Sequence, residues 1–389
     1  MRRMNMLAVL IGLFPVTCSI AQTSDIPADV GSLSGRWLGI ACFCGYVTHN
    51  EFKIKEDDGK LTVHGYYAIA MSEKEIRGAV AKKLNNDDVQ PFAMLVFQDY
   101  EVWKSGSSIM FKGGKGRVVF SGSEESGKWM PDTYEGRLVQ PGMAVGVIKY
   151  LGVCSNTTRP KDGVFYFYRE DMFAKPPALS LEKGKVHQLT CLDGTAYHYS
   201  CYVPEKYDPV LPAPVLINKD PSGNGKPLSL KMADELGWIM VGLTESRNDA
   251  VDSTENCVAV IFDLKRRFNI HPHRLYFSGL SGRARQSAWE SIGFPDECAG
   301  VICIGAGFSQ YGSGEKRGEY KFPPLNIPVF FLVGKTDMNH NEVVGYLAPA
   351  EKKRGRMINV QVHPGGHDWG RPEDHTLAIR WLDGLWKEH

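Results

Sequence analysis

The sequence predicts two folded regions of different class, an antiparallel all-β sandwich or barrel over residues 24–172 and an α/β region with a mostly parallel sheet over residues 187–389. The first prediction rests on short segments that alternate apolar with polar residues, carry many aromatics and are separated by glycines. The second rests on apolar strands that alternate with segments of helical period, which is typical of a parallel sheet with helices on both faces. Residues 173–186 contain a proline-rich stretch and predict the linker between the two regions.

Length, composition and charge limit the classes of function. The chain has 389 residues, of which 43% are hydrophobic, and this is enough for two regions with their own cores. Its 45 Lys and Arg residues nearly balance 44 Asp and Glu residues, giving a net charge of +1. No basic face for nucleic acid and no long basic run for an anionic membrane surface is indicated, so the sequence predicts neither partner.

Residues 1–21 are typical of an export signal. Two arginines precede an apolar run at residues 6–16, and Ser19 and Ala21 place small side chains at the two positions that a signal peptidase inspects. The apolar run is too short to span a bilayer as a helix, so no membrane span is predicted. We expect cleavage after Ala21 and a secreted or periplasmic mature protein.

The chain has nine cysteines, and the eight that follow residue 21 are an even number, which favours disulfide bonds in an exported protein. Cys191 and Cys201 flank residues 192–195, a hairpin-turn signal, and this predicts a cross-strand disulfide between them. Cys42 and Cys44 have the spacing of half a metal site. Since no second pair of ligands at metal-binding spacing accompanies them, disulfide pairing or burial is the favoured interpretation, and no metal is predicted.

The first region is predicted to be built from short strands at residues 36–40, 61–67, 92–97, 118–122 and 164–168. A helix is predicted at residues 73–84. The region contains no combination of catalytic residues, so we expect it either to bind a substrate or to pack against the second region. A further hypothesis assigns it carbohydrate binding through aromatics such as Trp103 and Trp129.

The second region is predicted to have buried strands at residues 214–218, 238–243, 275–278, 300–304 and 328–333. Helical period occurs at residues 229–235 and 259–268, and the amphipathic segment 375–386 predicts a C-terminal helix. In a sheet of this kind, active groups gather beyond the carboxyl ends of the strands. Polar residues that directly follow these strands are therefore the candidates for a functional site.

A serine, an aspartate and a histidine each follow an apolar strand. Ser281 lies in a Gly-Leu-Ser-Gly-Arg turn between a strand and a predicted helix, a bend that exposes the serine hydroxyl. Asp337 follows strand 328–333, and His367 lies in a Gly-Gly-His-Asp-Trp turn after the apolar segment 358–363. In a catalytic triad the histidine accepts the serine proton, while the carboxylate orients the imidazole and stabilises its charged form. Each residue could be an ordinary turn residue, but their shared placement favours a triad.

An oxyanion hole for the same site needs two N–H groups that point at one carbonyl oxygen. One is predicted from Gly282, which directly follows the serine. The second is predicted from the loop at residues 220–225, in which Pro221 has no N–H and Ser222 or Gly223 can donate. We assign Ser222 together with Gly282, with a plain surface loop as the alternative interpretation of 220–225.

At these residues the chain resembles bacterial secreted α/β-hydrolases of the esterase and polyhydroxybutyrate-depolymerase-like type. The resemblance covers residues 214–386, a little under half of the chain, and it rests on motifs at residues 220–225, 279–283 and 365–369. The segment 241–248 also resembles the strand and loop that follow the oxyanion segment in these proteins. It implies an α/β-hydrolase fold for the second region, in which the chain order Ser, Asp, His is the usual one. It also implies hydrolysis of a carboxylic ester through an acyl-serine intermediate, with a small-molecule or polymer-linked substrate. This chemistry requires no metal or organic cofactor.

The chain departs from the pattern of these hydrolases at one position. Arg283, two residues after the serine, stands where they usually have glycine, a residue that lets the helix and strand approach closely. A distorted elbow would leave a catalytically inactive hydrolase-like scaffold that binds a ligand or partner, and this is the alternative function. Arg283 and Trp369, which is close to His367, are candidate pocket residues, although a structural role explains each of them as well.

Overall fold

The computed structural model describes residues 32–43, 46–57, 60–70, 93–120, 123–125, 133–140, 142–149, 162–169, 181–191, 197–250, 253–294, 297–308 and 326–386. Several features predicted from the sequence lie outside the described residues. These are the signal peptide at 1–21, the helix at 73–84, most of the linker, Trp129, and Cys44 with the half metal site it would complete.

The described part of the N-terminal half forms one antiparallel sheet. Its nine strands are β1 (Gly35–Phe43), β2 (Tyr46–Asp57), β3 (Lys60–Ala70), β4 (Ala93–Ser105), β5 (Ser108–Phe120), β6 (Ser123–Glu125), β7 (Thr133–Gln140), β8 (Met143–Lys149) and β9 (Asp162–Arg169). They lie in the order β4-β3-β2-β1-β9-β8-β7-β5-β6, and β4 also pairs with β5. Because one continuous sheet curves back on itself, the arrangement is barrel-like and differs from two packed sheets.

Aromatic side chains fill the inside of this sheet. The rings of Phe52, Phe111 and Phe167 are buried together, with centroid separations of 4.7 to 5.7 Å. Successive residues of a strand point to opposite faces, so Phe167 points inward while Tyr166 points outward. Trp103, one of the two aromatics considered for carbohydrate binding, is 45% exposed on β4.

The described part after residue 184 forms a second sheet of eight strands. They are β10 (Lys185–Thr190), β11 (His198–Val203), β12 (Ala213–Lys219), β13 (Ile239–Leu243), β14 (Ile270–Leu280), β15 (Cys298–Ile304), β16 (Val329–Gly334) and β17 (Ile358–His363), in the order β10-β11-β13-β12-β14-β15-β16-β17. The pairs β10–β11 and β11–β13 are antiparallel, and the other pairs are parallel. The sheet is therefore mixed, with its parallel part as expected from the alternation of strands and helices.

Helices cover both faces of the second sheet. They are α1 (Leu230–Leu236), α2 (Ser253–Arg267), α3 (Gly282–Gly293), α4 (Ala348–Lys353), which continues a π-helical segment (Asn341–Leu347), and α5 (Pro372–Leu385). Alternate residues of each central strand belong to two separate cores, as Ile217 and Leu216 illustrate. Helix α5 begins at a proline, whose fixed φ suits the first helical position. No helix in the described ranges is long and apolar enough to cross a membrane.

The two sheets are joined by an apolar contact between β9 and α2. The Tyr166 ring stacks on Phe262 at a centroid separation of 4.9 Å, and both side chains are buried. Ile40, Met143 and Tyr166, which point outward from the first sheet, belong to the same hydrophobic core as α2. Of the two roles expected for the first region, packing against the second region is the one that these contacts support.

The predicted disulfide between Cys191 and Cys201 is wrong. In the β10–β11 hairpin the Cys191 N–H donates to the Tyr197 carbonyl, whereas Cys201 lies opposite His187. Cys201 is therefore four residues further along β11 than the position facing Cys191, a distance of roughly 13 Å along a strand. A disulfide requires Cα atoms within about 7 Å, so this register excludes the bond. Burial instead raises the pKa of the Cys201 thiol well above its ordinary value.

Candidate active site

Ser281 occupies a strained bend between β14 and α3. Its φ of 60° and ψ of −125° lie in a region that non-glycine residues rarely adopt. The strand and helix approach closely because Gly279 has no side chain: a Cβ there would lie 2.7 Å from the Arg283 carbonyl carbon. The Ser281 N–H donates to the Ile304 carbonyl at 2.8 Å, which fixes the bend against the end of β15. Ser281 thus lies in a strained turn between a strand and a helix, the local structure that the sequence predicts for it.

Asp337 and His367 are in direct contact. His367 Nδ1 lies 3.0 Å from both carboxylate oxygens of Asp337. The Asp337 side chain is fully buried, while that of His367 is 24% exposed. The Asn339 N–H also donates to Asp337 Oδ1 at 2.8 Å, which holds the carboxylate in place. Because Nδ1 faces the carboxylate, the tautomer with a proton on Nδ1 is favoured and Nε2 is left to accept a proton.

Gly305 is the point at which the serine turn and the Asp337–His367 pair come together. A Cβ on Gly305 would lie 3.2 Å from Asp337 Oδ2 and 3.2 Å from His367 Cε1. The preceding residue, Ile304, accepts the hydrogen bond from Ser281 N–H. The Ser281 hydroxyl makes no hydrogen bond to any other described residue, His367 included. Catalytic hydrogen bonds of this kind are often long without substrate and shorten in the reacting complex.

The loop that carries His367 is held by hydrogen bonds on both sides of the histidine. Asp368 accepts from the N–H groups of Gly366 and Gly370 at 3.1 and 2.8 Å. The Trp369 carbonyl lies 2.5 Å from His375 Nε2, and burial lowers the pKa of His375. The Trp369 ring packs against the core between the sheet and helices α1 and α5. Trp369 thus anchors the loop to the hydrophobic core through its ring and to α5 through its carbonyl.

The two predicted oxyanion donors differ in their surroundings. The Ser222 N–H donates to Asp220 Oδ1 at 2.8 Å, within a turn that is closed by a hydrogen bond from Gly223 N–H to the Asp220 carbonyl. The Gly282 N–H makes no hydrogen bond with the described part of the protein. In this structure the Gly282 donor is uncommitted, whereas the Ser222 donor is engaged by its own loop.

Arg283 does not distort the serine turn. Its side chain is buried and extends sideways to the loop after β13, where its guanidinium donates to Asn248 Oδ1 at 3.1 Å and to the Asn248 carbonyl at 3.0 Å. It also donates to Ser253 Oγ at 2.8 Å and to Gln286. The side chain therefore connects α3 to the start of α2 beside the candidate site.

Three polar residues around α3 were not predicted from the sequence. The Asn248 side chain lies over Gly282. Lys219, at the end of β12, and Glu290, on α3, form an ion pair in which both side chains are completely buried. Burial raises the pKa of Glu290, and the Lys219 charge opposes this effect. Of these three residues only Glu290 has a sequence signal, since it recurs with Arg283 and Gln286 at helical spacing along one side of α3.

Within the described ranges, no group of three or more His, Cys, Asp or Glu side chains could hold a metal ion.

No family model and no curated protein sequence matches the chain. Similar solved structures include a fluorophosphonate-binding serine hydrolase of Staphylococcus aureus, with 12% identity and a TM-score of 0.42 over 52% of this chain and 99% of that chain. An S-formylglutathione hydrolase of the same organism has 13% identity and a TM-score of 0.40 over 53% and 99%, and an esterase of Pyrobaculum calidifontis has 13% and 0.40 over 52% and 87%. These similar structures are serine hydrolases and esterases.

Proposed function

We propose that this protein is an exported serine hydrolase that cleaves a carboxylic ester through an acyl-serine intermediate. The observation that carries the proposal is the Asp337–His367 pair, which lies across Gly305 from the strained Ser281 turn. The substrate is a small-molecule or polymer-linked ester. The hydrolase chemistry belongs to residues 187–389, and the contact between Tyr166 and Phe262 supports a structural role for the β region at 24–172.

The proposed reaction uses each residue in a defined role. Ser281 Oγ attacks the ester carbonyl while His367 Nε2 takes its proton, and Asp337 stabilises the resulting imidazolium. The negative charge on the carbonyl oxygen is stabilised by the Gly282 N–H. His367 then returns the proton to the alkoxide, which leaves as the alcohol and produces the acyl-serine. A water molecule, deprotonated by His367, then attacks the acyl group. His367 returns that proton to Ser281 Oγ as the acyl–serine bond breaks, which releases the acid and restores the free serine.

The burial of Asp337 suits this role. A carboxylate that is excluded from water interacts more strongly with a neighbouring imidazolium than an exposed one does, because the local dielectric is low. His367 remains partly exposed, so its Nε2 is able to face a substrate. The pair thus keeps the orienting group inside the protein and the proton-accepting atom at the surface of the site.

The test is covalent labelling of the purified mature protein by a fluorophosphonate probe, followed by mass spectrometry of the modified peptide. We expect one adduct on Ser281, absent in Ser281→Ala and slowed in His367→Ala. Ser229 is a matched control because it is a second serine with positive φ (56°) at the start of a helix. Ser229→Ala should label like the wild type. A folded wild-type protein that forms no adduct would refute the proposal and favour the inactive, ligand-binding alternative.

A further inference from the structure

The Asn248 carboxamide lies beside Gly282, whose N–H is uncommitted. A Cβ on Gly282 would lie 2.5 Å from Asn248 Oδ1 and 3.3 Å from Asn248 Nδ2. A Cβ is only two bonds from the backbone nitrogen of its residue, so the carboxamide and the Gly282 N–H flank the same Cα. The Asn248 N–H donates to the Pro221 carbonyl at 2.9 Å, which ties the residue to the predicted oxyanion loop as well.

Arg283 determines which way the Asn248 carboxamide faces. A guanidinium can only donate hydrogen bonds, so the atom that contacts Arg283 Nε at 3.1 Å must be the carboxamide oxygen. The second bond, from Arg283 Nη2 to the Asn248 carbonyl, holds the main chain of the same residue. Nδ2 therefore faces away from Arg283. It makes no hydrogen bond with any residue in the described part of the chain.

We propose that Asn248 is a catalytic residue whose Nδ2 donates a hydrogen bond to the oxyanion, together with Gly282 N–H, and that Arg283 is its positioning residue. This inference rests on the proposed function, because it concerns the oxyanion of the Ser281 reaction. It supplies a second donor where the Ser222 N–H is engaged by Asp220. No bond to Asn248 forms or breaks; its N–H interacts more strongly as the carbonyl oxygen becomes negatively charged.

The contact with Arg283 strengthens the donor as well as orienting it. A charged donor on Oδ1 polarises the carboxamide, and hydrogen bonds in a chain reinforce one another. The position of the Asn248 carboxamide also accounts for the glycine that follows the serine, because a Cβ at position 282 would lie only 2.5 Å from Asn248 Oδ1. Arg283, Asn248 and Gly282 thus form one interlocked unit at the start of α3.

The test compares Asn248→Ala and Asn248→Asp with the wild type in the hydrolysis of p-nitrophenyl acetate. Removing one oxyanion donor typically lowers kcat by ~10²–10³-fold. We expect that loss with little change in KM, because the bond forms fully only in the transition state. Asn248→Asp keeps an acceptor for the buried Arg283 Nε and should keep the wild-type Tm. Asn248→Ala removes that acceptor and should melt at a lower temperature, so the rates are compared well below its Tm. The matched control is Arg247→Gln, which removes the exposed neighbouring side chain and should retain wild-type kcat.

A second readout separates an oxyanion donor from a structural residue. The wild type should prefer an ester to its thionoester analogue, since a C=S group accepts hydrogen bonds poorly. The ratio of kcat/KM for the two substrates should fall in Asn248→Ala, and also in Arg283→Lys, which cannot hold both Asn248 oxygens. Unchanged kcat and an unchanged ratio in Asn248→Ala would overturn the inference while fluorophosphonate labelling of Ser281 still upheld the proposed function. Absence of labelling in the wild type would instead refute the proposed function itself.

Discussion

Replacing Gly305 with alanine tests whether the geometry of the Asp337–His367 pair matters for activity. The new methyl group would lie 3.0 Å from Leu280 Cδ1 and 3.2 Å from both Asp337 Oδ2 and His367 Cε1. These separations are shorter than ordinary van der Waals contacts, so the pair must shift by a few tenths of an ångström. Gly305 also has a φ of +63°, which costs an alanine about 1–2 kcal/mol.

A matched variant separates the backbone cost from the steric one. Gly237 has a φ of +74°, but nothing lies within 4 Å of the position its Cβ would occupy. Gly237→Ala should therefore lose a similar ~1–2 kcal/mol of stability and keep full activity. A misplacement of about 1 Å in a catalytic site can cost ~10²-fold in rate. For the smaller shift at Gly305 we expect roughly a tenfold loss of kcat/KM, or about 1.4 kcal/mol.

The assay measures Tm together with the rates of fluorophosphonate labelling and p-nitrophenyl acetate hydrolysis for the two variants. Both should melt a few degrees below the wild type, and only Gly305→Ala should lose activity. Equal and undiminished activity in the two variants would refute the reasoning, because it would show that moving the Asp337–His367 pair has no effect on the reaction. An inactive Gly237→Ala would show that lost stability alone explains the result.

Three further predictions follow from individual contacts. Asp337→Asn should lower kcat by ~10⁴-fold with unchanged Tm, because the amide favours the wrong tautomer of His367; a loss below tenfold in steady-state kinetics would contradict this. Phe262→Ala should cost ~3–5 kcal/mol in urea unfolding, because it removes a buried ring stacked on Tyr166, and a cost below ~1 kcal/mol would show that the two sheets do not depend on this contact. Burial lowers the pKa of His375 from its ordinary value of 6.5, so its contribution to stability is complete above about pH 6.5 and is lost as the pH falls through its folded pKa. The acid decline of Tm should therefore be shallower in His375→Gln, and identical Tm profiles would contradict the assignment.

The strands of the second sheet were predictable because each is an apolar segment with a distinct end. The predicted strand 300–304 lies within Cys298–Ile304, and the predicted helix 229–235 differs by one residue from Leu230–Leu236. At the antiparallel edge of the same sheet the sequence indicated the hairpin turn but not its strands, since β10 is largely exposed and has no apolar signature. The register of this hairpin also excluded the predicted cysteine pair, and a hairpin's register depends on its turn type and loop length, which the turn residues alone did not determine.

The residues of the candidate site were also only partly predictable from the sequence. Ser281, Asp337 and His367 each follow a strand, so the topology of a parallel sheet was enough to bring them to one edge. Lys219 directly follows the predicted strand 214–218 and Asn248 lies in the segment 241–248, but the sequence assigns neither a role, because the contacts that hold them come from distant side chains on α3. Sequence spacing alone does not give the direction in which the Asn248 or the Lys219 side chain points.

At Arg283 the chain departs from the glycine motif without losing the close approach of helix and strand that this glycine would provide. A glycine two residues after the serine would let the helix approach the strand, yet in this chain that approach is already provided by Gly279. Arg283 can therefore place its side chain sideways without opening the turn, and Ser281 keeps its strained φ of 60°. Burying a guanidinium is costly unless its donors are satisfied, and here they bind Asn248, Ser253 and a neighbouring glutamine. The departure from glycine thus comes with hydrogen-bond partners for the guanidinium, and one of them, Asn248, is the residue we assign to the oxyanion.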